Sequence, residues 1–152
     1  MILVKQVGVY VNILNCRLKK YLAEVFKKNG VNLTAEQYLV MDTLWNEGTL
    51  TQQAIAFIIQ KDKNSVTQFI DNLEKKGLVT RSVAKEDRRV NNIVVTEQGM
   101  ALKDSTKQLA IDTMEKAIEG IPEADLQTFV GVLKKVCGNI SDFGKNAEEL
   151  EL

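Results

Sequence analysis

Apolar residues recur every three or four positions along most of this chain, and the places where that rhythm stops divide it into elements. Over residues 4–28, Val7, Val11, Leu14, Leu18, Tyr21 or Leu22, and Val25 keep the spacing and predict an amphipathic helix that Asn29 and Gly30 end. Thr34 and Gln37 form a capping-box pattern opening a second helix, with Tyr38, Met41, Leu44 and Trp45 as its apolar set and Gly48 as its stop. A short third helix follows, with Thr51 as N-cap and Ala54, Ile55, Ile58 and Ile59 inward. The fourth runs from about Asp62 to Lys76, turns Val66, Phe69, Ile70 and Leu73 to one side, and has Gly77 as its C-cap. The rhythm then gives way to two short strand-like runs, "LVTRSV" and "NIVVT". Thr96 caps a long helix expected to reach about Glu119. Gly120 and Pro122 separate it from a last helix expected to bury Leu126, Phe129, Val130, Leu133, Val136 and Ile140.

The order is four helices, a β-hairpin, then two helices. Within it, residues 34–96 place two helices around a short turn and follow them with a two-stranded wing. The expected fold class is therefore mostly α with a small β-hairpin wing (α+β): a winged helix-turn-helix flanked by terminal helices. In that layout the second helix of the pair enters the major groove of DNA, and the wing follows the backbone or enters the minor groove.

Composition narrows the chemistry. The 152 residues include no histidine and two cysteines, Cys16 and Cys137. Histidine-based nucleophile activation and nearly every zinc or iron site are thereby excluded, and no metal, cofactor or enzymatic activity is expected. No apolar run approaches the ~18 residues of a membrane span. The apolar N-terminus lacks the basic leader and cleavage site of a signal peptide, so the protein reads as cytoplasmic.

The net charge is zero, but it is unevenly spread. Residues 1–30 sum to +5, residues 31–59 to −3, residues 60–92 to +3 and residues 93–152 to −5. Local potential attracts phosphate more than the total does, so the basic segments keep nucleic acid in play.

The fourth helix is where the chemistry concentrates. Opposite its apolar side lie Lys63, Asn64, Ser65, Thr67, Gln68, Asp71 and Asn72. Short side chains that donate and accept are what reading base edges requires, and Asn and Gln pair with adenine in bidentate fashion. Lys61 and Lys63, at the helix entrance, suit phosphate contacts, as does the helix N-terminus itself. The hairpin tip adds five charges in a row, Lys85 to Arg89. Exposed ion pairs stabilise a folded monomer by only ~0–1 kcal/mol, so a finger ending in two arginines gains little from the fold alone. An arginine at such a tip can enter a narrow minor groove, with Asp87 orienting it and Lys85 and Arg88 on phosphates.

Residues 33–99 resemble the MarR family of bacterial transcription regulators through "LTAEQ", "NSVTQFIDNLEKKGLVTR", "DRR" and "VTEQG", in that order and spacing. The resemblance implies a homodimer joined through the first and last two helices and bound to a pseudo-palindromic operator. It divides the chain into a dimerisation helix (1–32), a DNA-binding domain (33–99), further dimerisation helices (100–145) and a frayed tail (146–152). By family position Arg89 is the minor-groove arginine, Asp87 its supporting carboxylate, and Arg81 the arginine that follows the recognition helix. Lys85 and Glu86 replace the family's usual turn residues, so a differently bent wing is expected. The expected regulator is a repressor, with an activator as the alternative, and the resemblance further implies release from DNA by a small phenolic or anionic effector.

Two alternatives stand beside this. One subset of the family senses organic peroxides through a cysteine on the first helix, and "QYLVMDTLW" resembles that subset's second helix. Cys16 would be the sensor and Cys137 its resolving thiol, with Lys19 and Lys20 favouring the thiolate. The other alternative is a winged-helix module whose polar helix face and wing bind a protein.

Overall fold

The polar-apolar rhythm becomes, among the described residues, seven helices and three short strands: α1 (Ile2–Lys28), α2 (Ala35–Glu47), β1 (Leu50–Thr51), α3 (Gln52–Ile59), α4 (Lys63–Lys75), β2 (Val79–Val83), β3 (Asn91–Val95), α5 (Glu97–Ala101), α6 (Lys103–Ala117) and α7 (Glu123–Asn139). The structure is a computed structural model, and it describes residues 2–83, 85–86 and 89–140. The chain forms two units, Met1–Ala117 and Ile118–Leu152. The expected tail at 146–152 lies outside the described residues.

The predicted caps form. The Thr34 hydroxyl accepts from the Gln37 amide at 3.1 Å, and Gln37 Oε1 accepts from the Thr34 amide at 3.1 Å. These bonds satisfy two helix-end donors that would otherwise be lost to solvent or buried bare. Thr51 and Thr96 cap α3 and α5 with one bond each, their hydroxyls accepting from the Ala54 and Gly99 amides at 3.1 Å. Gly77 takes φ +73° one residue beyond the α4 cap, Lys76, and there the chain turns out of the helix into β2. Lys76 bolts this end of α4 down. Its Nζ donates to the Asn32 carbonyl at 2.8 Å and to Gln37 Oε1 at 2.7 Å, and burial holds its pKa below the usual lysine value.

The core of the first unit gathers Phe26 of α1, Val40, Met41, Leu44 and Trp45 of α2, Ile55 of α3, Val66, Ile70 and Leu73 of α4, and Leu78, Val79 and Ile93 beside the sheet. Each apolar side chain of this size stabilises by about 1.5–3 kcal/mol when fully buried. Val66, Ile70 and Leu73 are wholly buried, so the apolar side of α4 is fixed and its polar side is forced outward.

Two details differ from the sequence reading. The wing has a third strand: β1 pairs antiparallel with β3 through Leu50↔Ile93 and Thr51↔Asn92, giving the order β1-β3-β2. Two residues are too few to show an alternating pattern. The helix after Thr96 also breaks at Leu102. Trp45 Nε1 donates to the Gly99 carbonyl at 3.2 Å, the acceptor that Lys103 would use in an uninterrupted helix.

The terminal helices carry the largest departure. On α1, residues 4, 7, 11, 14, 18, 21 and 25 are Val, Val, Val, Leu, Leu, Tyr and Val, a seam with the alternating three-four spacing of a coiled coil. Where the seam ends, α1 packs inward through the neighbouring Leu22 and Phe26. Its N-terminal end does not: Val4 is 80%, Val7 47%, Val11 46% and Leu14 41% exposed. On α7, expected to be buried, no residue is, and Phe129, Val130 and Val136 lie open, as does Ile140 at its C-cap. An apolar helix face is buried only against a second surface, and the described residues of the second unit offer none.

Candidate nucleic-acid interface

The polar side of α4 is presented by a tight helix-turn-helix. Residues 60–62 connect α3 to α4, and Gln60 takes the left-handed conformation (φ 55°, ψ 46°) that reverses the chain. Its own Nε2 donates to the Phe57 carbonyl at 2.7 Å and closes the α3 end.

On α4 the expected contact residues fall into two groups. Lys63, Asn64, Gln68 and Asn72 are exposed, and no hydrogen bond or ion pair holds their side chains among the described residues. Asn64, Gln68 and Asn72 are spaced by four, so three amide side chains form one stripe about 12 Å long. Ser65 and Thr67 are half-buried and already engaged. Ser65 Oγ donates to Asp62 Oδ2 at 2.6 Å, and Thr67 Oγ1 donates to the Lys63 carbonyl at 2.9 Å while accepting from Gln52 Nε2.

The α4 N-terminus is not an open phosphate site. Asp62 caps it, its Oδ1 accepting from the Ser65 amide at 2.9 Å. The Ser65 hydroxyl and amide together hold the Asp62 carboxyl below its ordinary pKa, so the N-terminus already carries an anion. Lys61 sits just ahead of it, half-exposed. Burial would raise the pKa of Glu36 on α2. The Lys19 ammonium at 3.0 Å, the backbone amide of Glu36 and the charge of Lys61 outweigh that effect and hold it low.

The wing pairs Val79↔Val95 through Val83↔Asn91, and Lys85, Glu86 and Arg89 are the charged residues described beyond its last pair. Lys85 and Arg89 are exposed there. Asp87 and Arg88 lie outside the described residues. Arg81, expected beside DNA, stands on β2 with its guanidinium turned to α4, where it pairs with Asp71 and Glu74. Cys16 and Cys137 are exposed free thiols on α1 and α7. No group of three or more potential metal ligands occurs among the described residues, and no described helix is long and apolar enough to cross a membrane.

Residues 33–90 match the model of the MarR family. This chain carries a MarR-family domain. The organic hydroperoxide resistance transcriptional regulator of Bacillus subtilis is 35% identical over 74 residues, which is 49% of this chain and 50% of that protein. The match thus spans about half the length of that relative. The HTH-type transcriptional regulator MhqR, also of Bacillus subtilis, is 28% identical over 116 residues, covering 76% of this chain and 79% of its own. A mutant of MarR from E. coli, solved in complex with operator DNA, superposes with a TM-score of 0.78 at 23% identity, covering 85% of this chain and 91% of that one. That likeness establishes the winged-helix fold.

Within the MarR-family domain, residue-by-residue reading overlooked two features of the surface. Gln52, the first residue of α3, reaches Thr67 across the helix-turn-helix. Its position directly after the Thr51 cap, at the start of α3, was the signal the sequence offered. Asp71 and Glu74 lie three apart on α4, and that spacing puts both carboxylates on one side, within reach of a cation on the following strand.

Proposed function

We propose that this protein is a cytoplasmic, non-enzymatic, sequence-specific DNA-binding transcription regulator that represses from a pseudo-palindromic operator as a homodimer. The observation that carries the reading is the unengaged amide stripe of Asn64, Gln68 and Asn72. It is flanked by Lys61 and Lys63 at the helix entrance and accompanied by a wing bearing Lys85 and Arg89. In this reading α4 lies in the major groove, with Asn64 and Gln68 on base edges and the lysines on phosphates. Arg88 and Arg89 serve the backbone and the minor groove, with Asp87 in support. The homodimer is supported by the exposed end of the α1 seam and the open α7 face, since large apolar surfaces on soluble chains mark interaction sites. Release by a small phenolic or anionic effector rests on the family resemblance alone.

Gln68→Ala is expected to cost about 1–3 kcal/mol on the preferred duplex, with little change on random duplex. Lys63→Ala is expected to weaken both duplexes alike and to reduce the salt slope by about one. Fluorescence anisotropy on a duplex selected from a random-sequence pool reads both effects. Equal losses from both variants would remove the division of roles.

A second reading has its own observation: Cys16 is exposed, and a relative matched over half its length is named for hydroperoxide resistance. Here the Cys16 thiolate attacks a peroxide oxygen, leaving an alcohol and a sulfenic acid. Condensation of that sulfenic acid with the Cys137 thiol then yields a disulfide and water. Stoichiometric cumene hydroperoxide should release the selected duplex from the wild type and not from Cys16→Ser. Retention of the duplex after mass spectrometry shows Cys16 oxidised would eliminate this reading.

A further inference from the structure

One cation of the DNA-facing half of the domain is spent internally. Arg81 Nη2 donates to Asp71 Oδ1 at 2.6 Å and Nη1 to Glu74 Oε1 at 3.0 Å, while its backbone N–H donates to Glu74 Oε2 at 3.1 Å. Its side chain is 20% exposed, against 48% and 43% for the two carboxylates. Alternation along β2 puts Arg81 on the same face as Val79, which is buried against the core. The side chain therefore leaves the strand on the side that meets α4.

The geometry points to Arg81 as a positioning residue for DNA recognition: it locks the wing to α4 and cancels the Asp71 charge beside the amide stripe, without itself touching phosphate. This inference rests on the DNA-binding reading above. Three features support it. A planar guanidinium makes directed bonds to two carboxylates at once, which a lysine ammonium does not reproduce in the same geometry. Asp71 lies seven residues from Asn64 and so projects from nearly the same side of α4, where an uncompensated carboxylate would repel the DNA backbone. Nη1 and Nη2 are each bonded to an acid, so turning the guanidinium away from α4 toward a phosphate would leave Asp71 and Glu74 bare beside a polyanion.

The test compares Arg81→Ala, Arg81→Lys and the double variant Asp71→Ala/Glu74→Ala with wild type. Each is titrated against a duplex selected from a random-sequence pool and a scrambled duplex of equal length, across a salt series. Thermal melting and the stoichiometric active fraction exclude unfolding. Both Arg81 variants are expected to lower the preference for the selected duplex about tenfold, with the salt slope unchanged. The double variant is expected to lower that preference as well, although it removes negative charge near DNA. Should Arg81→Ala fold poorly, Arg81→Lys and the double variant carry the same comparison. A phosphate role would show differently and would overturn the inference. Arg81→Ala would then weaken both duplexes alike and flatten the slope by about one per protomer, Arg81→Lys would keep most affinity, and the double variant would tighten both duplexes equally. If wild type shows no duplex preference and no salt dependence, the DNA reading itself fails along with the brace. A steep wild-type slope with a phosphate-like Arg81 removes the brace alone.

Discussion

Val11→Glu combined with Leu14→Glu is expected to convert the protein to a monomer and to lower affinity for the selected duplex by 10²–10⁴-fold. Both positions lie on the exposed end of the α1 seam, at 46% and 41% exposure, so the substitutions leave the buried core of the first unit untouched. The seam continues without a break into Leu18, Tyr21 and Val25, and its spacing matches what a partner helix requires. A carboxylate placed in such a seam must be desolvated for the partner to dock, which strongly opposes association. Once the partner is lost, each recognition helix binds its half-site alone, and the gain from intramolecular second binding disappears. Sedimentation velocity reads the mass and anisotropy the affinity. A variant that keeps the wild-type mass and affinity would show that this face of α1 is not the interface.

Gly99→Ala is expected to destabilise the fold by about 3 kcal/mol, lowering the melting temperature by roughly 6–12 °C. A Cβ at this position would lie 2.3 Å from the Leu78 carbonyl oxygen and 2.7 Å from Val95 Cγ1. The first is a backbone atom, and it is not free to retreat: Leu78 O accepts from the Thr96 amide at 3.0 Å. Thr96 Oγ1 also donates to the Gly77 carbonyl at 2.6 Å and accepts from the Gly99 amide at 3.1 Å. The start of α5 is thus tied to the turn leaving the recognition helix, and a methyl group inserted there must move one or the other. Calorimetry or circular dichroism on the variant reads the shift. A melting temperature within a degree of wild type would contradict this close packing.

How legible all this was in the sequence depends on the distance over which each feature is set. Caps are set by neighbours, so Thr34 with Gln37, Thr51 and Thr96 could be read directly; the first two cap the helices assigned to them, and Thr96 caps α5, the first segment of the longer helix expected there. The α4 apolar side was legible because its periodicity is strict and the tertiary structure agrees with it. Features that depend on remote partners were not legible. The break at Leu102 accompanies a bond from Trp45 to Gly99, 54 residues away in the chain, and a local pattern has no access to such a contact. β1 is too short to alternate, and only its pairing with β3 makes it a strand. The open face of α7 looked like a core face because periodicity reports which side is apolar and not what covers it. On the interface, residue type nominated Ser65 and Thr67, and the family resemblance Arg81, alongside Asn64 and Gln68. Hydrogen bonding separates them, since the first three are engaged inside the chain and the last two are not. The charged tip that gave the wing its first DNA reading contributes Lys85 and Arg89 as exposed cations.

The central claim is that the amide stripe and its flanking cations read a two-fold duplex. Its most direct measurement is selection of bound duplexes from a random-sequence pool, followed by footprinting and a salt titration of the best one. The account predicts two protected blocks related by a dyad, their centres about 34 Å apart. It also predicts a log-log salt slope of about −5 to −9, from three to five phosphate contacts per protomer. Failure to enrich any sequence, or binding that is indifferent to salt, would contradict the account and favour a winged-helix module that binds protein.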